Sequence, residues 1–490
     1  MRARSLVVTC ALSLFVFGQQ QVISAPASAV EPTAAIPRAE CGEGSSPETG
    51  VQGQVPKADR VSGRSQDGYS CNLSLVGQYQ GEGASWVNPT YEHCAYMASS
   101  FPGTLGAKSA GVSVLDVSDP SNPVLTAVLS SPAMIGGTWE SLKVNETRGL
   151  LGAVAGGIAV GVGSFDVYDI ATDCAHPRLL NGVNGTNLTI PVNTLGHEGN
   201  WSPDGNTYWA TGLTGGVITA IDVSDPAHPR TLFVGSTGLF NHGLSVSEDG
   251  NRIYVSNALP AGLNTFDVSD IQNRRPNPQL RQVSSMSWSD GLISQASIPI
   301  TVDDHPYLLT WDEFSSGGIR ILDISDEKNP VVTGQIKLEI NQPQNIDLRR
   351  ADTAGNGLFG YDTHYCSVDR VVDPTALACG FFQSGIRVFD ISDISHTKEI
   401  AYFNPPAQVG KRDLLKNSEH ANGFVVPSMP ALSDAENLNV GSPPLQLGPA
   451  DLTADYCSSP PRFVGDQLWV TCQDNGLLAL QFDNGAYHGG

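Results

Sequence analysis

Apolar residues crowd seven short stretches of this chain, alternating side chains across two faces and ending on one recurring phrase. The copies are Gly111-Val-Ser-Val-Leu-Asp116, Ser164-Phe-Asp-Val-Tyr-Asp169, Val217-Ile-Thr-Ala-Ile-Asp222, Gly262-Leu-Asn-Thr-Phe-Asp267, Gly318-Ile-Arg-Ile-Leu-Asp323, Gly385-Ile-Arg-Val-Phe-Asp390 and the decayed Gly476-Leu-Leu-Ala-Leu-Gln481. A period of two with Val, Ile, Leu and Phe on both faces predicts a strand buried between neighbouring sheets. Turn residues bracket it. Ser202-Pro-Asp-Gly205 and Ser247-Glu-Asp-Gly250 predict hairpins before the phrase, and Pro120-Ser-Asn-Pro123 or Pro226-Ala-His-Pro229 a turn after it. Each unit then has four strands, with the phrase third from the centre.

From Asp116 to Asp390 the copies stand 45 to 67 residues apart, and Gln481 lies 91 beyond. This spacing suits the blades of a seven-bladed β-propeller, an all-β fold of four-stranded sheets. Too few residues follow Phe482 for an outer strand, whereas Asn72-Leu-Ser-Leu-Val-Gly-Gln78 reads as an outer strand with no phrase before it. The N-terminal strand is therefore expected to complete the last blade and close the ring. The expected organisation is a secretory signal over 1–29, a flexible Pro/Ala/Ser/Gly-rich leader over 30–70, the propeller over 71–484 and a tail over 485–490.

The phrases around Asp116, Asp323 and Asp390 resemble those of LVIVD-repeat proteins, a family of exported bacterial β-propellers; the likeness spans residues 72–482. The resemblance implies the fold and says little of chemistry, because propellers host enzymes, scaffolds and lectins alike.

Charge and cysteines narrow the setting. With 49 acidic and 27 basic residues the net charge is -22, which excludes nucleic acid as a natural partner. The basic start, the apolar run from Leu6 to Phe17 and Ala27-Ser28-Ala29 predict export. No other run is long and apolar enough to predict a membrane span. Beyond the signal stand Cys41, Cys71, Cys94, Cys174, Cys366, Cys379, Cys457 and Cys472, an even number that predicts disulfides in an oxidising compartment. Cys366 with Cys379 and Cys457 with Cys472 are the expected pairs; the other four stay open. Asn72, Asn145, Asn184 and Asn187 each begin a glycosylation acceptor triplet.

The repeat register sorts the ten histidines. His176, His228 and His396 take the place of a turn residue, and His93, His305 and His488 also need no function. His197 and His242 stand the same distance before a hairpin and so begin innermost strands; His364, His420 and Glu140 fit the same position. These side chains are expected at one end of the axial channel, opposite the Asp-Gly hairpins. Long insertions at 340–362 and 404–417 fall on the histidine side, with Glu198, Asp312, Glu313, Asp362 and Glu419 beside them.

Two readings follow. One is a secreted monomeric binding or interaction module that takes an extracellular small molecule or protein at its axial mouth, through Glu140, Glu198, Asp312, Glu313, Asp362 and Glu419. The alternative is a metal-dependent extracellular enzyme, an oxidoreductase, with His197, His242, His364 and His420 around one copper, iron or zinc ion, since imidazole and carboxylate donors suit such metals. That arrangement is similar in architecture to four-histidine iron propellers such as carotenoid cleavage oxygenases, whose sequence pattern is absent.

Overall fold

The repeated phrase becomes the third strand of each sheet, as its two apolar faces require. The computed structural model describes residues 34–100, 107–155, 164–182, 196–212, 215–238, 240–314, 316–354, 359–422 and 451–489. Among these, seven antiparallel sheets form the blades of a β-propeller, their phrase strands being Val112–Asp116, Phe165–Asp169, Val217–Asp222, Gly262–Asp267, Ile319–Asp323, Ile386–Asp390 and Gly476–Phe482. In blade three, Val217–Asp222 lies between Thr207–Gly212 and the solvent-facing Arg230–Ser236, and Gly196–Trp201 is innermost. Five blades carry a register shift at one place in the phrase, just before the residue that precedes the aspartate, as between Ala220 and Ile221 or Val388 and Phe389. A recurring bulge adds the local twist that lets each outer strand splay from its neighbour.

The aspartates serve turns. Asp116, Asp169, Asp222, Asp267, Asp323 and Asp390 each accept the backbone N–H two residues on, at 2.8–3.1 Å. Such Asx turns release the chain from strand three into strand four. Gln481 needs no such acceptor, because blade seven takes its outer strand from elsewhere: Leu73–Tyr79 pairs antiparallel with Gly476–Phe482, from Leu73 opposite Phe482 to Tyr79 opposite Leu477. The ring is closed by the N-terminal strand, as the missing outer strand implied.

Just before it, Tyr69–Cys71 adds a fifth strand to blade six, opposite Tyr402–Asn404. The chain passes between the two blades at Asn72, whose φ of 55° lies in the left-handed region that asparagine tolerates. Its amide donates to Glu40 O and Ile400 O at 2.9 Å each, and its Oδ1 accepts from Gly42 N at 2.9 Å and Asn484 Nδ2 at 3.0 Å. A buried amide so occupied cannot also carry a glycan in the folded chain. Asn145 is buried too, and Asn184 and Asn187, like the signal expected over 1–29, lie outside the described residues.

Residues 34–68, whose composition reads as a leader, lie against blade six. Arg387 reaches Glu48 at 2.8 Å and Glu399 at 3.0 Å, Val55 is buried, and Tyr361 Oη donates to Val55 O at 3.0 Å. The segment owes this placement to a few long-range polar contacts rather than to apolar periodicity, which is why its sequence does not advertise it. Four disulfides join Cys41–Cys71, Cys94–Cys174, Cys366–Cys379 and Cys457–Cys472. Cys366–Cys379 links neighbouring strands of blade six as expected, and the expected Cys457–Cys472 also forms, with Cys457 ahead of the inner strand Arg462–Val464 and bridged to Phe382 of blade six; Cys94–Cys174 ties blade one to blade two. Such bonds mark an extracytoplasmic protein. Among the described residues no helix is long and apolar enough to cross a membrane.

Candidate metal centre on the propeller axis

His197 and His242 reach the axis because each sits where its strand is irregular. The pairing of Gly196–Trp201 skips from Gly196 to Glu198, and that of Phe240–Val246 from Asn241 to Leu244. An extra residue at a bulge re-aims a side chain that regular pleating would place elsewhere. Blade five has the same shift between Ser294 and Ala296, but its residue is Gln295. There the acid comes from the neighbouring strand, His305–Phe314, as Glu313. Glu140 precedes the inner strand Lys143–Asn145 of blade two, and His364 the inner strand Cys366–Val368 of blade six.

These five side chains converge and are at least nine-tenths buried. His197 Nε2 lies 2.9 Å from His242 Nε2 and 3.1 Å from Glu140 Oε2. His242 Nε2 lies 3.3 Å from Glu313 Oε2, and His364 Nε2 lies 3.2 Å from Glu140 Oε1 and 3.3 Å from Glu313 Oε1. Yet His364 Nε2 makes no aligned hydrogen bond, nor do Nδ1 of His197 and of His242. The two imidazole nitrogens of His197 and His242 are aligned as a hydrogen bond, but the four histidine–carboxylate contacts at 3.1–3.3 Å are not, and these have the spacing of ligands around a cation, since metal bonds of about 2.1 Å set neighbouring ligand atoms roughly 3.0–3.4 Å apart.

Outer partners hold the donors in place. His364 Nδ1 donates to Ser458 O at 2.7 Å, which leaves Nε2 as the free lone pair, and Tyr365 Oη donates to Glu140 Oε2 at 2.9 Å. Lys143 Nζ sits 3.5 Å from Glu198 Oε1, and Glu198 Oε2 is 3.9 Å from His242 Nδ1. Burial disfavours charge on His242, but Glu140, Glu198 and Glu313 outweigh it and push its pKa up to about 10. His364 is likewise raised against its burial, to about 9, by Glu140 and Glu313. Burial pushes Glu140 the other way, yet His197 and His242 hold it well below the usual carboxylate range. The cluster is a strong negative field that demands a positive occupant, proton or metal.

The LVIVD repeat family matches the chain at residues 106–129, over the first phrase and its outer strand. The protein carries an LVIVD repeat in a seven-bladed propeller. No curated protein matches it. Among solved structures, this LVIVD-repeat propeller is similar to a proposed 6-phosphogluconolactonase of Bacteroides uniformis (15% identity, 63% of this chain and 80% of that one, TM-score 0.43). It is also similar to the periplasmic gluconolactonase PpgL of Pseudomonas aeruginosa (13% identity, 64% and 82% covered, TM-score 0.44). A third likeness is to a proposed 6-phosphogluconolactonase of Bacteroides fragilis (10% identity, 80% and 96% covered, TM-score 0.46).

Other expected site residues of the LVIVD-repeat propeller lie elsewhere. His420 is not on an inner strand; it lies on the short helix Glu419–Asn422 and belongs to a separate buried group with Asp474 and Asp455. Its Nδ1 meets Asp474 Oδ2 at 2.7 Å and its ring stacks on Tyr456 at 4.0 Å. Asp312 neighbours Glu313 on one strand and so points to the opposite face, where it is bound by Arg320, by Trp288 Nε1 at 3.0 Å and by Ser294 Oγ at 2.7 Å. Asp362 Oδ1 accepts from Ser316 Oγ at 2.8 Å and Glu419 lies 3.4 Å from Ser85 Oγ; neither belongs to the axial group. Glu198 stands at the rim of the group. Tyr365, Lys143 and Ser458 were not singled out by the register, although Tyr365 is the neighbour of His364.

Among the described residues a channel opens at the other face. A channel of about 420 Å³ runs along the axis from Glu198, Lys143 and Tyr365 to Arg370, Val371 and Arg462, at the face of the Asp-Gly hairpins. Val371 there is 55% exposed. The rings of Trp139, 4.1 Å from His197, and of Trp86 and Phe382, 4.9 and 4.8 Å from His364, pack against the cluster.

Proposed function

We propose that this propeller is an exported metal-dependent enzyme, with His197, His242, His364, Glu140 and Glu313 holding first-row metal on the axis and a small polar substrate arriving through the hairpin-side channel. The observation that carries this reading is the buried convergence of three Nε2 atoms and two carboxylates at 2.9–3.3 Å. All eight cysteines among the described residues are in disulfides, so the donors are nitrogen and oxygen, a set suited to iron, zinc or copper(II). When bound, such a metal polarises a substrate oxygen or activates water, and iron or copper adds electron transfer, which makes an oxidoreductase the favoured class. Tyr365 and Ser458 orient ligands, while Lys143, beside Glu198 and 5.0 Å above the Tyr365 ring, meets the substrate at the inner end of the channel. The disulfides and the signal-like N-terminus support secretion.

Elemental analysis of the purified chain and of two variants tests the reading. Wild type and His420→Ala are expected to retain the same stoichiometric metal, and His242→Ala to lose part or all of it. A chain that holds no metal even after reconstitution, or that loses it through His420→Ala but keeps it in His242→Ala, contradicts the proposal and returns the propeller to a metal-free binding module.

A further inference from the structure

Building on that reading, we infer that the axial centre holds two ions, bridged by Glu140 and Glu313. The donors form two groups that share Glu140: Glu140, His197 and His242, and Glu140, Glu313 and His364, with the ligand atoms of each within 4.8 Å of one another. Each carboxylate turns its two oxygens to different histidines. Glu140 presents Oε2 to His197 at 3.1 Å and Oε1 to His364 at 3.2 Å. Glu313 presents Oε2 to His242 at 3.3 Å and Oε1 to His364 at 3.3 Å.

This is the disposition of a bridging carboxylate pair. One ion would take Nε2 of His197 and His242 with Glu140 Oε2 and Glu313 Oε2. The other would take His364 Nε2 with the two Oε1 atoms. Ions in such sites stand about 3.5–4 Å apart, a separation that one carboxylate spans through its two oxygens. A single ion would leave one oxygen of each carboxylate, drawn towards a different imidazole, without use. The second shell supports both halves: Ser458 O fixes the ring of His364, and Tyr365 Oη fixes Glu140.

The charge balance adds a consequence. Two divalent ions exceed the two bridging carboxylates by two positive charges, so the pair calls for an anionic third bridge, a hydroxide or the oxyanion group of a substrate. The channel ends at Lys143, Glu198 and Tyr365, and the Tyr365 hydroxyl donates to Glu140.

Titration of the chelator-extracted full-length chain with manganese(II), followed by metal retention after gel filtration and by electron paramagnetic resonance, tests the inference. Two equivalents per chain with an exchange-coupled signal are expected, and His364→Ala should retain one equivalent with an uncoupled signal. Saturation at one uncoupled equivalent in wild type overturns the pair and leaves a single-ion centre standing. No retention at all overturns the metal reading beneath it.

Discussion

Replacing Glu140 by glutamine is expected to remove most of the metal-dependent stabilisation while leaving the ring of blades folded. Glutamine keeps the volume of the side chain and can still accept from Tyr365, but it removes the charge and one of the two oxygens that face His197 and His364. Loss of a second-shell partner alone weakens metal affinity about 10–100-fold, so loss of this anionic donor should weaken it by at least ~100-fold. A metal present at a hundred times its dissociation constant stabilises the wild type by about 2.7 kcal/mol. Calorimetric unfolding with and without metal should show that increment in wild type and at most about 0.4 kcal/mol in Glu140→Gln. An equal increment in both would remove Glu140 from the centre.

Arg387→Met is expected to cause the largest loss of stability of any single substitution considered, about 3–5 kcal/mol, as for other buried ion pairs broken on one side. Arg387 is 1% exposed, pairs with Glu399 at 3.0 Å and Glu48 at 2.8 Å, and lies 4.5 Å over the ring of Tyr402. Methionine fills the space but supplies no charge. Glu399, whose pKa burial already raises against the pull of Arg387, is then left with Gln52 Nε2 at 2.9 Å as its buried side-chain donor. Because Glu48 belongs to the N-terminal segment, the same substitution should loosen residues 34–68 from blade six. Urea unfolding and limited proteolysis read the two effects. Arg281→Met, at a largely exposed pair with Asp270, should cost under about 1 kcal/mol; a similar small loss for Arg387→Met would contradict the account of the N-terminal segment.

The repeat made most of the architecture legible. Six aspartates mark equivalent turns because the physical need, an acceptor two residues before the next N–H, recurs in each blade. Gln481 breaks the pattern where the need ends, and that break disclosed the ring closure. The same register found His197 and His242, since both precede a hairpin by the same interval. It placed His420 on an inner strand, whereas His420 lies within the short helix Glu419–Asn422 and Asp474 anchors its ring there. Glu313 and Asp312 were indistinguishable until strand alternation assigned one to the axis and the other to Arg320. Disulfide partners in different blades, Cys94 and Cys174, were beyond reach because nothing local in sequence encodes a contact across 80 residues.

The central claim is that the axis holds metal among His197, His242, His364, Glu140 and Glu313. Anomalous diffraction from crystals of the metal-loaded chain, collected on either side of the absorption edge, tests it most directly. The account predicts anomalous density within bonding distance of His364 Nε2 and between the two bridging carboxylates. Density confined to the neighbourhood of His420 and Asp474, or none on the axis of a fully loaded crystal, would contradict it.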